Sequence, residues 1–308
     1  MRLESHLCGD SMEQIREQEV AMKRFVNADW TQPLISLVPD VSFAQVPFWF
    51  NGTLRQLKMD LWLPKRREKR QPTIVWICGG AFQQVDRHLW MGEMLYFARQ
   101  GFTIASVEYR TSMEANWPAP VCDVKSAIRY LRAHADELCV DPERIAVMGE
   151  SAGGYLASFL GVTGGTKEFD RGQNLEFNSR VQAVVDYYGL VEISSGQAEN
   201  LSDGDTVIVK GNVTELLMGC EEKDDPQLYS RATVASWVDR QTPPFLILHG
   251  AEDPLVNVKQ SERLYQILRD AGVPAELDVY QGATHGDDLF YQSEAKSRVV
   301  DFLRKHLE

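Results

Sequence analysis

Six short apolar runs, separated by helix-compatible segments, constrain the fold of this 308-residue chain more than any other feature. Two of the runs, TIVWIC (73–78) and PFLILHG (244–250), lack the alternation of polar and apolar residues that a half-exposed strand shows. Continuous apolar strands are typical of sheets that are covered on both faces. Strands that alternate with helices in this way predict an α/β fold with a largely parallel sheet flanked by helices.

Two further strands and one long connection complete the predicted organisation. Residues 41–50 and 54–63 precede the alternating part and give the sheet an antiparallel start, for about eight strands in all. Residues 190–242 interrupt the rhythm, and a connection of that length inside a compact domain is usually functional. We expect this insertion to act as a lid, residues 1–40 to form an N-terminal cap, and residues 41–308 to form the main domain.

The composition narrows the possible partners and the compartment. The formal net charge of −12 argues against a nucleic acid or an anionic membrane as partner. The five cysteines are scattered, odd in number and free of any Cys-x-x-Cys pair, which fits a reducing compartment and offers no zinc site. No stretch has the apolar length of a signal peptide core or a membrane span. We therefore expect a cytoplasmic protein.

The segment VMGESAGGY (147–155) places Ser151 between two glycines, at the point where a predicted strand becomes a predicted helix. So abrupt a turn strains the backbone of its central residue and leaves no space for side chains at Gly149 and Gly153. The pattern predicts a nucleophilic serine. Because the pattern is short, it also fits a tight turn with an incidental serine, and the rest of the chain has to decide.

Asp253 and His285 follow the ends of two later strands, PFLILHG (244–250) and AELDVYQG (275–282). Ligands of doubly wound sheets bind at the carboxyl ends of the strands, so these side chains are expected near Ser151. A serine hydroxyl needs a base to remove its proton, imidazole is a suitable base, and a carboxylate fixes the imidazole tautomer. Ser, Asp and His in this order indicate a hydrolase triad without metal or organic cofactor.

An oxyanion hole completes the predicted site. The segment WICGGAF (76–82) places backbone N–H groups of Gly80 and Ala81 just after a strand, and Ala152 follows the serine. Backbone N–H groups in such positions stabilise the negative oxygen of a tetrahedral intermediate. We also expect Phe82, next to this loop, to line the substrate pocket.

With these motifs the sequence resembles the bacterial carboxylesterases of the α/β-hydrolase superfamily, in the group related to hormone-sensitive lipase that includes acetyl and feruloyl esterases. The resemblance covers about residues 40–305 and rests on CGGAF, VDPERIAVMGESAGGYLA, PPFLILHGAEDPLV and GATHG. It implies the α/β-hydrolase fold and the following roles: Ser151 as nucleophile, His285 as base, Asp253 as acid, and Gly80, Ala81 and Ala152 as oxyanion donors. The sequence departs from the group at Cys78, where a histidine is usual, and at Ala81, where a glycine is common.

Other polar residues compete for these roles. His249 also follows a strand, but we expect it to pack beneath the Asp253 loop, because His285 fits the order of the triad better. Asp287 and Asp288 stand close to His285 in sequence, where acidic residues on a loop are usually solvated.

Four further residues have a structural explanation as well as a functional one. We interpret Arg110 and Asp123 as a structural ion pair and Cys78 as a small buried hydrophobic residue. Glu150 is either incidental or orients the serine turn.

These observations favour a serine esterase that hydrolyses small carboxylic esters through an acyl-enzyme. The resemblance implies a short or hydroxycinnamoyl acyl group, with sugars among the expected alcohols. The alternatives are an amidase or arylformamidase on the same scaffold, or a non-catalytic hydrolase-fold binding protein. The expected partner is a small-molecule ester, and the sequence leaves a homo-oligomer open.

Overall fold

The structure is a computed structural model, and it divides the chain into two compact units, Met1–Gln32 and Pro33–Glu308. It describes residues 25–27, 29, 31–48, 52–65, 69–194, 202–203, 206–207 and 212–307. The predicted N-terminal cap therefore lies, up to residue 24, outside the described residues.

The second unit is built on a sheet of eight strands in the order β1-β2-β4-β3-β5-β6-β9-β10. Strand β2 runs antiparallel to β1 and β4, and the other neighbours are parallel. This confirms the predicted sheet and its antiparallel start. The strands are β1 Ile35–Pro47, β2 Leu54–Pro64, β3 Gln71–Ile77, β4 Thr103–Val107, β5 Val140–Glu150, β6 Ala183–Tyr187, β9 Phe245–Gly250 and β10 Ala275–Tyr280, with a separate pair, β7 Ser202–Asp203 and β8 Thr206–Val207.

Helices connect most of the parallel strands, as the alternating pattern predicts. In the part of the chain that the structure describes, they are α1 Met91–Arg99, α2 Ala119–Ala133, α3 Ala135–Leu138, α4 Ala152–Val162, α5 Val213–Met218, α6 Pro226–Ala232, α7 Lys259–Asp270 and α8 Ser293–Leu307, with 3-10 helices at Val234–Trp237 and Asp288–Tyr291. None of these helices has the length and apolarity needed to cross a membrane.

Residues 74–77 of strand β3 show why this part of the sequence is apolar throughout. Val75 and Ile77 point into a core shared with helices α2, α4 and α7, while Ile74 and Trp76 point into a second core shared with α1 and α8. Because helices cover both faces of the sheet, neither set of alternate positions meets water.

Two predicted boundaries differ from the structure. Strand β1 begins at Ile35, where it pairs with Pro64, so the boundary predicted at residue 40 falls inside a strand. Residues 35–40 are exposed or half-buried on both faces and show no alternation, and a register shift next to Asp40, with φ of +57°, separates them from the buried half of the strand.

The predicted lid, residues 190–242, is also partly core. Leu217 and Val234 are fully buried in the core that contains helix α4. The hydroxyl of Tyr155, on α4, donates to the carbonyl of Ala232 at 2.7 Å. The described end of the insertion is thus part of the main domain, whereas residues 195–201, 204–205 and 208–211 lie outside the described residues.

Candidate active site

Ser151 occupies a strained turn between strand β5 and helix α4, with φ of +55° and ψ of −118°. The flanking glycines are required by close backbone contacts. A Cβ atom at Gly149 would lie 2.3 Å from the carbonyl oxygen of Gly153, and one at Gly153 would lie 2.0 Å from that of Ile77. A backbone this strained persists only where its surroundings enforce it, which is typical of functional sites.

The three predicted catalytic side chains form one hydrogen-bonded chain. His285 Nε2 lies 2.8 Å from Ser151 Oγ, and His285 Nδ1 lies 2.7 Å from Asp253 Oδ2. Because a carboxylate can only accept, Nδ1 carries the hydrogen, which leaves Nε2 free to accept the serine proton. The ring of Tyr188 packs edge-on against the imidazole with 4.8 Å between centroids.

Asp253 is held by donors on both carboxylate oxygens. Its Oδ1 accepts the N–H groups of Leu255 at 2.8 Å and Val256 at 2.9 Å, while Oδ2 faces both His285 and His249. Burial by itself would raise the pKa of this carboxyl, but hydrogen bonds from the two histidines and the Val256 N–H outweigh it and bring the pKa well below its usual range. Asp253 is therefore ionised, as an orienting carboxylate must be.

His249 lies beneath the Asp253 loop, as predicted, and is fully buried. Its Nε2 is 2.8 Å from the carbonyl oxygen of Val256 and 3.2 Å from Asp253 Oδ2, so Nε2 carries the hydrogen. Its Nδ1 is 2.7 Å from the hydroxyl of Ser261. Both ring nitrogens are therefore engaged, and neither faces Ser151.

Glu150, next to the serine, fastens the loop that follows strand β3. Its Oε1 accepts the N–H of Gly79, the indole N–H of Trp90 at 3.2 Å and the thiol of Cys78 at 3.6 Å. Burial raises the pKa of Glu150 more than these donors and the nearby His285 lower it. The prediction that Cys78 is a buried hydrophobic residue is incomplete: it is buried, and its thiol also donates to Glu150.

The backbone turns sharply in the loop beyond Cys78. Gly80, Ala81 and Phe82 all have positive φ, at +124°, +54° and +58°. Within the described part of the chain the N–H groups of Gly80 and Ala81 donate to no protein acceptor. The N–H of Ala152 lies in the first turn of α4, where helical partners are lacking. All three groups remain predicted oxyanion donors.

A cavity of about 630 Å³ opens above Ser151 and His285. Phe82 lines it, as predicted, and packs edge-on against Tyr155 with 5.5 Å between ring centroids. Sequence reasoning did not assign several other residues that line the cavity. They are Leu190, Val213, Leu255, Val256, Asn257 and Gln260.

Comparison with known proteins now adds to this geometry. Residues 59–268 match the protein family described as BD-FAE. The chain belongs to the BD-FAE family. It is 29% identical to esterase LipQ of Mycobacterium tuberculosis over 83% of this chain and 59% of LipQ. The chain thus spans little more than half the length of that curated relative.

Solved structures share the fold over nearly their whole length. A truncated carbohydrate esterase from gut microbiota superposes with a TM-score of 0.75 at 28% identity, covering 88% of this chain and 96% of that chain. An acetyl ester-xyloside bifunctional hydrolase from Caldicellulosiruptor lactoaceticus gives a TM-score of 0.68 at 25% identity, covering 86% and 96%. The BD-FAE chain therefore has the α/β-hydrolase fold that its sequence predicts.

The competing residues have local partners in this BD-FAE chain. Asp287 accepts the N–H of Leu289 at 3.0 Å and caps a short 3-10 helix. Arg110 and Asp123 form the predicted pair through two parallel bonds of 2.9 and 2.8 Å. Neither arrangement reaches the triad.

Proposed function

We propose that this chain is a serine carboxylesterase that hydrolyses small carboxylic esters through an acyl-enzyme. The observation that carries the proposal is the hydrogen-bonded chain from Ser151 Oγ through His285 to Asp253, at 2.8 and 2.7 Å. Ser151 and His285 line a cavity, and the predicted oxyanion loop is part of the same lining. The named esterases among its relatives support the same activity.

The reaction follows from these contacts. His285 Nε2 removes the proton of Ser151 as its oxygen attacks the ester carbonyl, and the ionised Asp253 stabilises the imidazolium. The N–H groups of Gly80, Ala81 and Ala152 receive the negative oxygen of the tetrahedral intermediate. The imidazolium then protonates the departing alcohol, and water, activated by the same imidazole, releases the acid.

A fluorophosphonate probe tests the nucleophile. We expect labelling of Ser151 alone in peptide mapping, and no labelling of Ser151→Ala. That variant should lose about 10⁴- to 10⁶-fold in kcat while keeping the melting temperature of the parent protein. A label on any other residue contradicts the assignment.

For the substrate, we propose short acyl groups, or one hydroxycinnamoyl group, on small alcohols such as acetylated or feruloylated oligosaccharides. The carbohydrate esterase and the acetyl ester-xyloside hydrolase among the structural relatives support this choice. We expect kcat/KM to fall from p-nitrophenyl acetate and butyrate to octanoate and palmitate. Faster cleavage of palmitate than of butyrate would reject the short-acyl proposal.

We also propose a cellular location for the protein and a preference for ester over amide bonds. The described cysteines are free thiols, which supports a cytoplasmic location. An amidase or arylformamidase could use the same triad. The names of LipQ and of the carbohydrate esterase from gut microbiota favour ester hydrolysis. Rates on an ester and its matched amide separate the two activities.

A further inference from the structure

Three side-chain amides line the cavity outside the triad, those of Gln84, Asn257 and Gln260, and backbone donors fix the oxygens of the last two. Asn257 lies just before helix α7, and Gln260 lies in its first turn. Both belong to the cavity lining, and both follow closely on Asp253 in the chain.

The contacts of Gln260 fix the direction of its amide. Its Oε1 accepts the backbone N–H groups of Val191 at 2.8 Å and Glu192 at 3.1 Å. Because both partners are donors, the atom that faces them must be the carbonyl oxygen and not the NH₂ group. The NH₂ group therefore faces away from this backbone, and no acceptor for it lies among the described residues. Gln260 is half-buried, so its two N–H donors remain available to a ligand in the cavity.

Asn257 has the same arrangement in a more exposed place. Its Oδ1 accepts the N–H of Lys259 at 3.0 Å, which again leaves the NH₂ group free within the described part of the chain. The cavity lining thus presents the NH₂ groups of Asn257 and Gln260, whose carbonyl oxygens already accept backbone N–H groups.

The charge of the cavity decides what such donors can bind. The described residues that line it include the carboxylates Asp86 and Glu150, and no lysine or arginine is among them. A negatively charged group on the substrate would face these carboxylates with no cation to balance it. Neutral amide donors suit an uncharged oxygen instead.

We propose that Gln260, assisted by Asn257, is a specificity-determining residue that donates from its NH₂ group to an uncharged oxygen of the substrate outside the scissile ester. The site then prefers esters with an ether or hydroxyl oxygen in that place over hydrocarbon esters of the same shape. This inference rests on the proposed esterase function and names the substrate class of that site.

The test uses esters that differ by one oxygen. On the alcohol side, 2-methoxyethyl acetate is compared with butyl acetate; on the acyl side, p-nitrophenyl methoxyacetate is compared with p-nitrophenyl butyrate. The ether oxygen can only accept, so it reports on a donor. In Gln260→Glu the Oε1 acceptor for Val191 and Glu192 is kept, and the NH₂ group is replaced by an oxygen that repels an ether. The kcat/KM ratio of methoxy to alkyl ester should fall about 3- to 10-fold in at least one pair.

The controls separate recognition from structure. Gln266→Glu makes the same change on an exposed residue of the same helix, outside the cavity, and should leave both ratios unchanged. Asn257→Asp should lower the same ratio about 2-fold, because Asn257 is more exposed than Gln260. A purely structural role of Gln260 would lower both esters of a pair equally.

The outcomes are distinct. Hydrolysis of the esters by the unaltered protein, with ratios in Gln260→Glu equal to those of the unaltered protein, overturns this inference and leaves the esterase proposal intact. No hydrolysis of any of the four esters by the unaltered protein overturns the proposed function. If Gln260→Glu does not fold, the unaltered protein still decides. Its methoxy-to-alkyl ratio of kcat/KM must exceed the ratio of the rate constants for alkaline hydrolysis of the same two esters. An excess of about 3-fold or more is required in one pair.

Discussion

Two buried carboxylates, Asp253 and Glu150, support different parts of the candidate site, and their pKa values are shifted in opposite directions. Asp253, under the imidazole, receives hydrogen bonds from two histidines and two backbone N–H groups, and its pKa is lowered although burial acts against this. Glu150, under the oxyanion loop, has the N–H of Gly79, an indole and a weak thiol donor, and burial raises its pKa. Donors that include two histidines outweigh burial at Asp253, whereas burial outweighs the neutral donors at Glu150.

The comparison teaches how each carboxylate acts. Asp253 is kept negative so that it can orient and stabilise a cation that forms during the reaction. The groups that donate hydrogen bonds to Glu150 stay neutral, and Glu150 holds a loop. We therefore expect loss of Asp253 to abolish chemistry, and loss of Glu150 to loosen the geometry of the N–H donors.

The largest effect is expected from Asp253→Asn. The asparagine NH₂ group would face His285 Nδ1 and favour the tautomer that cannot accept the serine proton, so kcat should fall by about 10⁴-fold. Asp287→Asn, on the loop that carries the histidine, is the matched control and should keep more than half of the activity. Equal losses in the two variants would mean that the acid of the triad is misassigned.

Glu150→Gln should have an intermediate effect. All three donors reach Oε1 of Glu150, so the glutamine carbonyl can take its place, but a neutral carbonyl accepts more weakly than a carboxylate and the NH₂ group replaces Oε2. We expect kcat to fall about 10- to 100-fold with KM changed by less than about 3-fold, because N–H donors to the oxyanion act mainly in the transition state. Trp90→Phe, which removes one of the three donors, should show a smaller loss of kcat. A change confined to KM would show that Glu150 acts on substrate binding instead.

The raised pKa of Glu150 gives a pH test of the same variant. The folded protein binds this proton more tightly than the unfolded chain, so the stabilising contribution is present below the unfolded pKa and is lost as pH rises through the folded pKa. Glutamine does not titrate. The melting temperature of Glu150→Gln relative to the parent protein should therefore increase as the pH rises above about 4.5. If the melting temperature of Glu150→Gln relative to the parent protein decreases as the pH rises, folding lowers the pKa of Glu150 and does not raise it.

His249→Asn should affect stability more than rate. The substitution removes the contact with the Ser261 hydroxyl in a fully buried place, so the free energy of unfolding should fall by about 1–3 kcal/mol. Because His249 does not face the nucleophile, kcat should stay within about 10-fold of the parent value, whereas His285→Asn should lose about 10⁴-fold or more. The reverse pattern of rates would identify His249 as the base.

The smallest effect is expected from Cys78→Ala. This change deletes one weak donor to Glu150 and a small buried volume, and should lower kcat by about 2- to 3-fold. Cys78→Ser restores a donor and is the matched control; it should keep the parent rate. A large loss in the alanine variant alone would show that the thiol, and not the backbone of Gly79, holds the loop.

Much of this protein could be predicted from its sequence because the relevant signals are local. The apolar strands predict the sheet, since strands covered on both faces are mostly apolar. The glycines around Ser151 predict the strained turn, since each would collide with backbone if it carried a Cβ. Asp253 and His285 follow strand ends, which parallel strands bring to one edge, and the structure places both within hydrogen-bonding distance of one another.

Tertiary structure alone decided the features that join distant segments. Glu150 meets Gly79 across 71 positions, and Gln260 meets Val191 across 69, with no repeat or motif to announce either contact. The burial of Leu217 and the early start of β1 at Ile35 likewise depend on which surfaces face each other. Sequence determines where the chain must turn and where its apolar faces lie. Which polar atoms then meet, and how burial and hydrogen bonds together raise the pKa of Glu150 and lower that of Asp253, is decided only when the chain is packed.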